Sequence, residues 1–408
     1  MKLTKDSIRQ EAQKYYGSMV SFAQKLVQTR SDTGHEEEVS EVIYNELMKL
    51  GYDEVFRDRT GNIIGIIKGD ETGDSILFNC HMDQVDPGDL NAWEYDPFGG
   101  VIADGYIHGR GASDTKGTIA TQIYAGALVK ALKISLKGDL IFTFVVEEEP
   151  GDMWGAIRLC EDVLQNKKIA FCISGESTSM DIALGHRGRL EVQVISRGKN
   201  SHSSAPWLGV NAVSKMAPMI MAIDEMGKEM PYDGTFRSSL SIINIECHPG
   251  FNCVVPDTCT VNIDYRFNTE ETKDTILEKF RTLALKLEQE DQEAGYEIRV
   301  RSLDHTSYTG IKETAELNKP SFITDINNVY VQKMLHALND VVNQYPKTYF
   351  WDFGTDAAYI ATVCGIPTVG YSPAEEKYCH SPKDRISISL MQEVLEGYVA
   401  ICAEIAGK

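Results

Sequence analysis

The sequence has no Cys-x-x-Cys pair, and its nine cysteines are scattered and odd in number. Neither a disulfide framework nor a structural zinc finger is indicated, so reduced thiols in a cytosolic protein are the expectation. Cys379 beside His380 reads as a small buried apolar residue, because a catalytic Cys/His pair is assembled by the fold rather than by adjacency. Long apolar runs are also missing. Stretches such as 141–146 fall far short of the roughly 20 residues a membrane span needs. The polar opening MKLTKDSIRQEAQ has no signal-peptide apolar core, so the expected location is the cytoplasm. Positive charge is scarce: 60 Asp plus Glu against 40 Lys plus Arg give a formal charge of -20. Such a field repels phosphate backbones and anionic surfaces, so neither nucleic acid nor a membrane is an expected partner. No internal repeat and no Pro/Ser-rich linker is visible.

What is present is a globular composition, with 408 residues, 42% hydrophobic and 25% charged, enough for two or three domains. The first fifty residues carry helical spacing, through Val20, Phe22, Leu26 and Val27 and then Val39, Val42, Ile43, Leu47 and Leu50. His35 with Glu36, Glu37 and Glu38 sits at a helix start, where acids favour the dipole, and reads as a solvated face. Short β-rich runs then alternate with helical stretches: 62–67, 75–80, a helix over 117–132, 140–146, a helix over 154–164, and 169–174. That alternation predicts an α/β sheet with helices on its faces. Near residue 185 the pattern changes to a strand at 189–196, a helix at 210–226, strands at 239–247 and 258–267, a helix at 272–290 and a strand at 296–301. This describes a self-contained α+β unit, placed at 187–302 as an insertion. The helix 327–343, the strand 367–371 and the helix 389–406 return the chain to the first domain, which comprises 1–186 and 303–408.

Several candidate ligands stand where apolar runs stop, the position at which an open α/β sheet presents functional side chains. His81-x-Asp83 follows SILFNC, and Asp114 lies in the turn GRGASDTKG ahead of a helix. Glu147 and Glu148 end LIFTFVV, Glu176 closes IAFCISG, and His380 follows PTVGY in the loop SPAEEKYCHSPKD. Each alone is more often a structural or surface residue. Together they meet a chemical need, since two neighbouring Zn²⁺ ions require nitrogen and oxygen ligands, an anionic bridge and an open position for a shared water. Two His, one bridging Asp and two terminal Glu supply that set. The spare carboxylate, Glu147, is suited to take a proton from the water and deliver it to a leaving amine.

With these residues in view, the sequence resembles the dinuclear zinc peptidases and amidohydrolases that include acetylornithine deacetylase, succinyl-diaminopimelate desuccinylase, aminoacylase-1 and glutamate carboxypeptidase. The resemblance covers nearly the whole chain and rests on HMDQVDPGD, HGRGASDTKG, VVEEEPGDMWG, GESTSMDIALGHRG, NSHSSAPWLGVNAV, NCVVPD, DYR, FGTDA and CGIPTVGYSPAEEKYCHSP in that order. WEYDPF and GESTSMDIALGHRGRLE look most like the hydrolases linked to selenium metabolism. The resemblance implies a zinc-peptidase-like catalytic domain with a mixed sheet, plus an inserted ferredoxin-like unit for dimerisation and as a lid.

It also implies that Asp114 bridges the metals, His81 and Glu176 complete one site, and Glu148 and His380 complete the other. Glu147 becomes the general acid/base, and Asp83 fixes the His81 tautomer from behind. The run of three acids leaves Glu148 and Glu149 both readable as the ligand; Pro150 favours Glu148, because the chain turns away before a proline. Asn252, Arg266, Gly354 and Thr355 are implied for substrate binding, with Arg266 gripping a carboxylate unless it pairs with Asp264. His202 is implied as an oxyanion donor in the partner subunit's site. The expected protein is a homodimeric hydrolase of the amide bond in an N-acyl amino acid or small peptide. It would carry two divalent ions per subunit, Zn²⁺ first, with Co²⁺ and Mn²⁺ as alternatives. A ureido or carbamoyl hydrolase is the rival enzyme, and a non-catalytic dimeric binding protein is the rival of another class.

Overall fold

The runs IIGII, SILFNCH, LIFTFV and IAFCIS are apolar almost throughout, as strands covered on both faces must be. In the computed structural model, which describes residues 3–165, 167–250 and 252–408, they form the middle of a nine-stranded mixed sheet. The order runs Glu54–Arg57, Ile63–Ile67, Leu140–Val145, Ser75–His81, Ile169–Ser174, Thr368–Gly370, Ile182–His186 and Phe322–Ile323, with Thr348–Trp351 also paired to Ile182–His186. Ser75–His81 is parallel to both neighbours, and Thr368–Gly370 continues the parallel set beside Ile169–Ser174. Their carboxyl ends therefore line one edge, the edge at which α/β sheets bind ligands.

Alternate strand residues face opposite cores. On one side, Ile76, Phe78 and Phe142 join a buried cluster with Lys5–Gln28, Gly117–Ala131 and Ile388–Ala406. Gly117–Ala131 is buried nearly all round because it packs between the other two helices and the sheet. On the other side, Leu77, Ile141 and Val145 meet Leu159 and Ile360, from the short helices Trp154–Leu159 and Ala357–Thr362. The helices expected over 154–164 and 327–343 are each an α-helix, Trp154–Leu159 and Val329–His336, that loosens into a π-turn.

The smaller sheet orders its main strands as Ser239–His248, Thr258–Phe267, Gly188–Arg197 and Tyr296–Val300, all antiparallel. Ala212–Met226 and Lys273–Glu290 cover it through a separate apolar core. Strand order second, third, first, fourth around two helices is the ferredoxin-like arrangement. Two features lie beyond the expected end at residue 302. The chain forms a hairpin, Ser302–Thr306 with Lys312–Glu316, and then pairs Asn318 and Lys319 with Leu190 and Arg189 of the smaller sheet. The hairpin is polar and mostly exposed, and the last strand has two residues, so neither leaves an apolar signature. Among the described residues, no helix is long and apolar enough to cross a membrane.

Phe142 is fully buried and its ring stacks on Phe78 with centroids 4.8 Å apart. Phe142→Ala should lower folding stability by about 3–5 kcal/mol, read from the denaturation midpoint at unchanged slope.

Candidate metal centre

Three strand ends and two loops converge at the carboxyl edge. His81 is the last residue of its strand, and its Nε2 lies 2.9 Å from Asp114 Oδ1 and 3.9 Å from Glu176 Oε1. Glu176 follows Ile169–Ser174 after Gly175, where a side chain would collide with Cys80 Sγ; the glycine lets the two strand ends close up. The other oxygen of Asp114, Oδ2, lies 3.1 Å from His380 Nε2, and the same nitrogen is 3.1 Å from Glu149 Oε2. Two sets of donor atoms each gather within 4.8 Å: His81, Asp114 and Glu149, and His81, Glu148 and Glu176.

Buried carboxylates fix this arrangement. Asp83 accepts the Glu148 and Glu149 amides at 3.0 and 3.1 Å and the Thr33 hydroxyl at 2.8 Å. Its own carbonyl lies 3.1 Å from His81 Nδ1 and its carboxylate 3.4 Å, which leaves Nε2 free to face Asp114. On the other flank Asp384 accepts the Gly111 and Ser113 amides at 2.7 and 2.9 Å, with Arg110 at 3.3 Å. Asp384 follows His380 in the same loop, so it ties that loop to the turn carrying Asp114. Nothing in the sequence marked Asp384.

The triple-acid run departs from the expected order by one residue. Glu147 does not face the cluster: its φ is +52°, and its Oε2 takes a 2.6 Å hydrogen bond with His305 Nδ1. The residue beside His380 and Asp114 is Glu149, while Glu148 joins His81 and Glu176 and pairs with Lys319. The physical reason is that the left-handed turn at Glu147 swings its side chain away, so the next two residues straddle Asp83. Glu36, read as part of a solvated face, is fully buried and accepts the Glu147 amide at 3.2 Å. Burial, with Asp83 nearby, pushes its carboxyl up to about 8.

The residues of the smaller unit stand apart. Arg266 gives Nε and Nη2 to Asp264 at 2.6 and 3.2 Å, the strand-face pair that was its structural alternative. His202 is exposed and contacts Ser204, and Asn252 is exposed in a turn. Among the described residues, no hydrogen bond or ion pair joins these three to the cluster. Gly354 and Thr355 lie closer: the Gly354 carbonyl accepts from Lys319 at 3.1 Å, and the Thr355 amide donates to His186 Nε2 at 3.1 Å.

The donor set suits divalent cations. The Oε1 of Glu149 is buried with no partner among the described residues, an orphan that a cation would satisfy. Hydrogen bonds to Asp114 and Glu149 push the His380 imidazole up to about 10. Burial works against protonation of His81, yet its bonds to Asp114 and Asp83 hold it well above the ordinary value. Burial, then the Asp114 charge, pushes Glu149 up to about 7. Protons thus supply the positive charge that the gathered carboxylates demand.

A mixed sheet with two facing half-sets of His and carboxylate ligands defines a dinuclear metallohydrolase, and the chain belongs to Peptidase family M20/M25/M40, whose model matches residues 77–404. The uncharacterized protein YgeY of Escherichia coli (strain K12) is 29% identical over 398 residues, 97% of this chain and 96% of that one. A succinyl-diaminopimelate desuccinylase of Blochmanniella pennsylvanica (strain BPEN) is 30% identical over 272 residues, 64% of this chain and 71% of its own length. The aminopeptidase PepT from Bacillus cereus ATCC 10987 shares the fold, with a TM-score of 0.71 at 24% identity over 96% of this chain and 98% of that one. The enzyme acts within a family of hydrolases of peptides and acyl amino acids.

Two measurements follow from the charge balance and from Asp83. Metal ligation needs neutral imidazoles, and His380 is protonated below about pH 10 in the metal-free protein. Loading at pH 7 should therefore release protons, detectable with an indicator dye, and affinity should fall as pH is lowered. Asp83→Ala should weaken metal binding about 10- to 100-fold in chelator competition, since it removes the group that orients His81.

Proposed function

We propose that this enzyme hydrolyses the amide bond of an N-acyl amino acid or short peptide in the cytoplasm, with Asp114 as the bridge between two divalent ions. His81 and Glu176 complete one position, His380 and Glu149 the other, and Glu148 is the general acid/base. The observation that carries this reading is the division of Asp114, whose two oxygens face imidazole nitrogens from opposite sides at 2.9 and 3.1 Å. Ions held there, Zn²⁺ first for a nitrogen and oxygen donor set, would polarise the scissile carbonyl and acidify the attacking water.

The remaining work falls to the chain. Glu148 accepts the proton of the attacking water and returns it to the departing nitrogen. Asp83 holds both His81 and the amides of the acid pair, so the base and the ligands keep a fixed separation. Gly354 and Thr355 are assigned to the carboxylate side of the substrate, together with Asn252 and the Arg266 edge not spent on Asp264. The smaller unit, 187–302 with the strand Asn318–Lys319, is assigned as lid and dimerisation surface. Among the described residues its edge strand Ser239–His248 has one unpaired side, with Ile243 and Ile245 about half exposed, which suits a second copy of the chain.

The decisive comparison uses three glutamines. Glu148→Gln should keep two metals per chain and lose about 10²-fold or more in kcat. Glu149→Gln should lose metal, whereas Glu147→Gln should keep both ions and far more of the rate than Glu148→Gln. Retention of near wild-type turnover in Glu148→Gln would remove it as the base. For His202, mixing His202→Ala with Glu148→Gln subunits should restore about half of wild-type activity per heterodimer if the imidazole acts in trans. No recovery in verified heterodimers would leave it a surface histidine.

A further inference from the structure

The acid run is gripped from behind by one stretch of chain, the one leaving the smaller sheet. His305 sits in the first strand of the hairpin Ser302–Thr306/Lys312–Glu316 and is wedged between two buried carboxylates. Its Nδ1 is 2.6 Å from Glu147 Oε2, and its Nε2 is bonded to Asp152 Oδ2. Trp154 stacks on the ring at 4.9 Å and 18°, covering one face of the imidazole. Lys319, at the end of the same stretch, is buried and gives its ammonium to Glu148 Oε1 and to the Gly354 carbonyl. Consecutive acids, Glu147 and Glu148, thus each have a cationic or imidazole partner from a segment more than 150 positions away in sequence.

The hairpin is itself fastened to the catalytic unit. Tyr308 Oη donates to the Gly61 carbonyl at 2.6 Å, Thr309 Oγ1 to the Arg59 carbonyl at 2.8 Å, and Trp154 Nε1 to Glu313 Oε2 at 2.9 Å. The clamp has something to hold. Glu147 occupies the left-handed region at φ +52°, a backbone conformation that L-residues other than Asn and Asp rarely keep without outside support. Releasing its side chain would let the turn relax and carry Glu148 and Glu149 with it.

We infer that His305 and Lys319 are positioning residues for the catalytic acids: His305 holds the turn at Glu147 that sets Glu149, and Lys319 holds the carboxylate of Glu148. The part concerning Lys319 rests on the reading of Glu148 as the base. Neither residue touches the reacting atoms in this assignment, and both act through an acid.

The test uses the full-length enzyme loaded with Zn²⁺ or, for spectroscopy, with Co²⁺. Lys319→Met should lower kcat about 10- to 100-fold with KM within about threefold and the Co²⁺ visible spectrum unchanged. His305→Gln should lower kcat similarly and also shift the Co²⁺ spectrum, because Glu149 moves with the turn. If His305→Gln does not fold, the charge-balanced pair Glu147→Gln/His305→Gln takes its place, with the same spectral shift expected. A folded His305 variant with a wild-type Co²⁺ spectrum overturns the role of His305 whatever the activity. A folded Lys319→Met with kcat within about twofold of wild type overturns the role of Lys319. If wild type turned over substrate and Glu148→Gln did too, the reading of the base would fail, and with it the Lys319 assignment, while the spectrum would still decide His305.

Discussion

The carboxylate of Asp83 is completely withdrawn from water, and an ionised carboxylate survives there only when donors surround it. Burial would raise its pKa, but His81, the Glu148 amide and Thr33 hold it below the ordinary value. Those donors come from three separated pieces of chain: the loop before the helix Glu37–Lys49, the end of Ser75–His81, and the turn after Leu140–Val145. Satisfying one charge therefore fixes the relative positions of all three. It also sets the direction of the acid pair. With the amides of Glu148 and Glu149 both pointing at Asp83, their side chains must project away from it, one toward Glu176 and the other toward His380. Removing a donor would leave a buried charge poorly paired, which is costly enough that the turn would sooner rearrange.

Asp384 repeats this logic on the opposite flank. It is also buried, and it binds two amides of the glycine-rich turn that precedes Asp114. The two histidines of the centre thus come from chain segments anchored by different carboxylates, and Asp114 lies between them with one oxygen for each. The parallel strands deliver His81, the acid run and Glu176 to the same edge, but strands alone place side chains only to within a residue's spacing. The buried carboxylates determine which atoms face inward.

That division explains what could be read from the sequence. The α/β sheet, its covering helices and the inserted α+β unit follow from apolar runs and their period, whereas the mixed sheet and the ferredoxin-like order were what the family resemblance implied. Candidate ligand types were visible because they stand where those runs stop. The register of Glu147, Glu148 and Glu149 was not, because three identical side chains carry no local mark of which one turns back, and the cause lies in His305 and Asp83 rather than in Pro150. Glu36 was misread because its carboxylate accepts the Glu147 amide, more than 100 positions away, as well as that of nearby Gly34. Lys319 and Asp384 were missed because each is a common surface residue type whose partner is more than 150 positions away.

The charge distribution adds a final constraint. A chain of net charge -20 gathers Asp114, Glu148, Glu149 and Glu176 about His81 and His380, which concentrates negative charge where the sheet edge opens to solvent. Protons on the two imidazoles balance part of it in the metal-free protein, and their displacement by divalent ions replaces two single charges with two double ones. On the proposed reading of Glu148 as the base, the ions are held by other carboxylates while Glu148 stays paired with Lys319. A lysine at that point therefore separates two demands that compete for the same carboxylates. In that proposal Asp114, Glu149 and Glu176 serve the cation positions, and Glu148, which lies beside His81 and Glu176, has Lys319 from the short strand Asn318–Lys319 as a partner of its own.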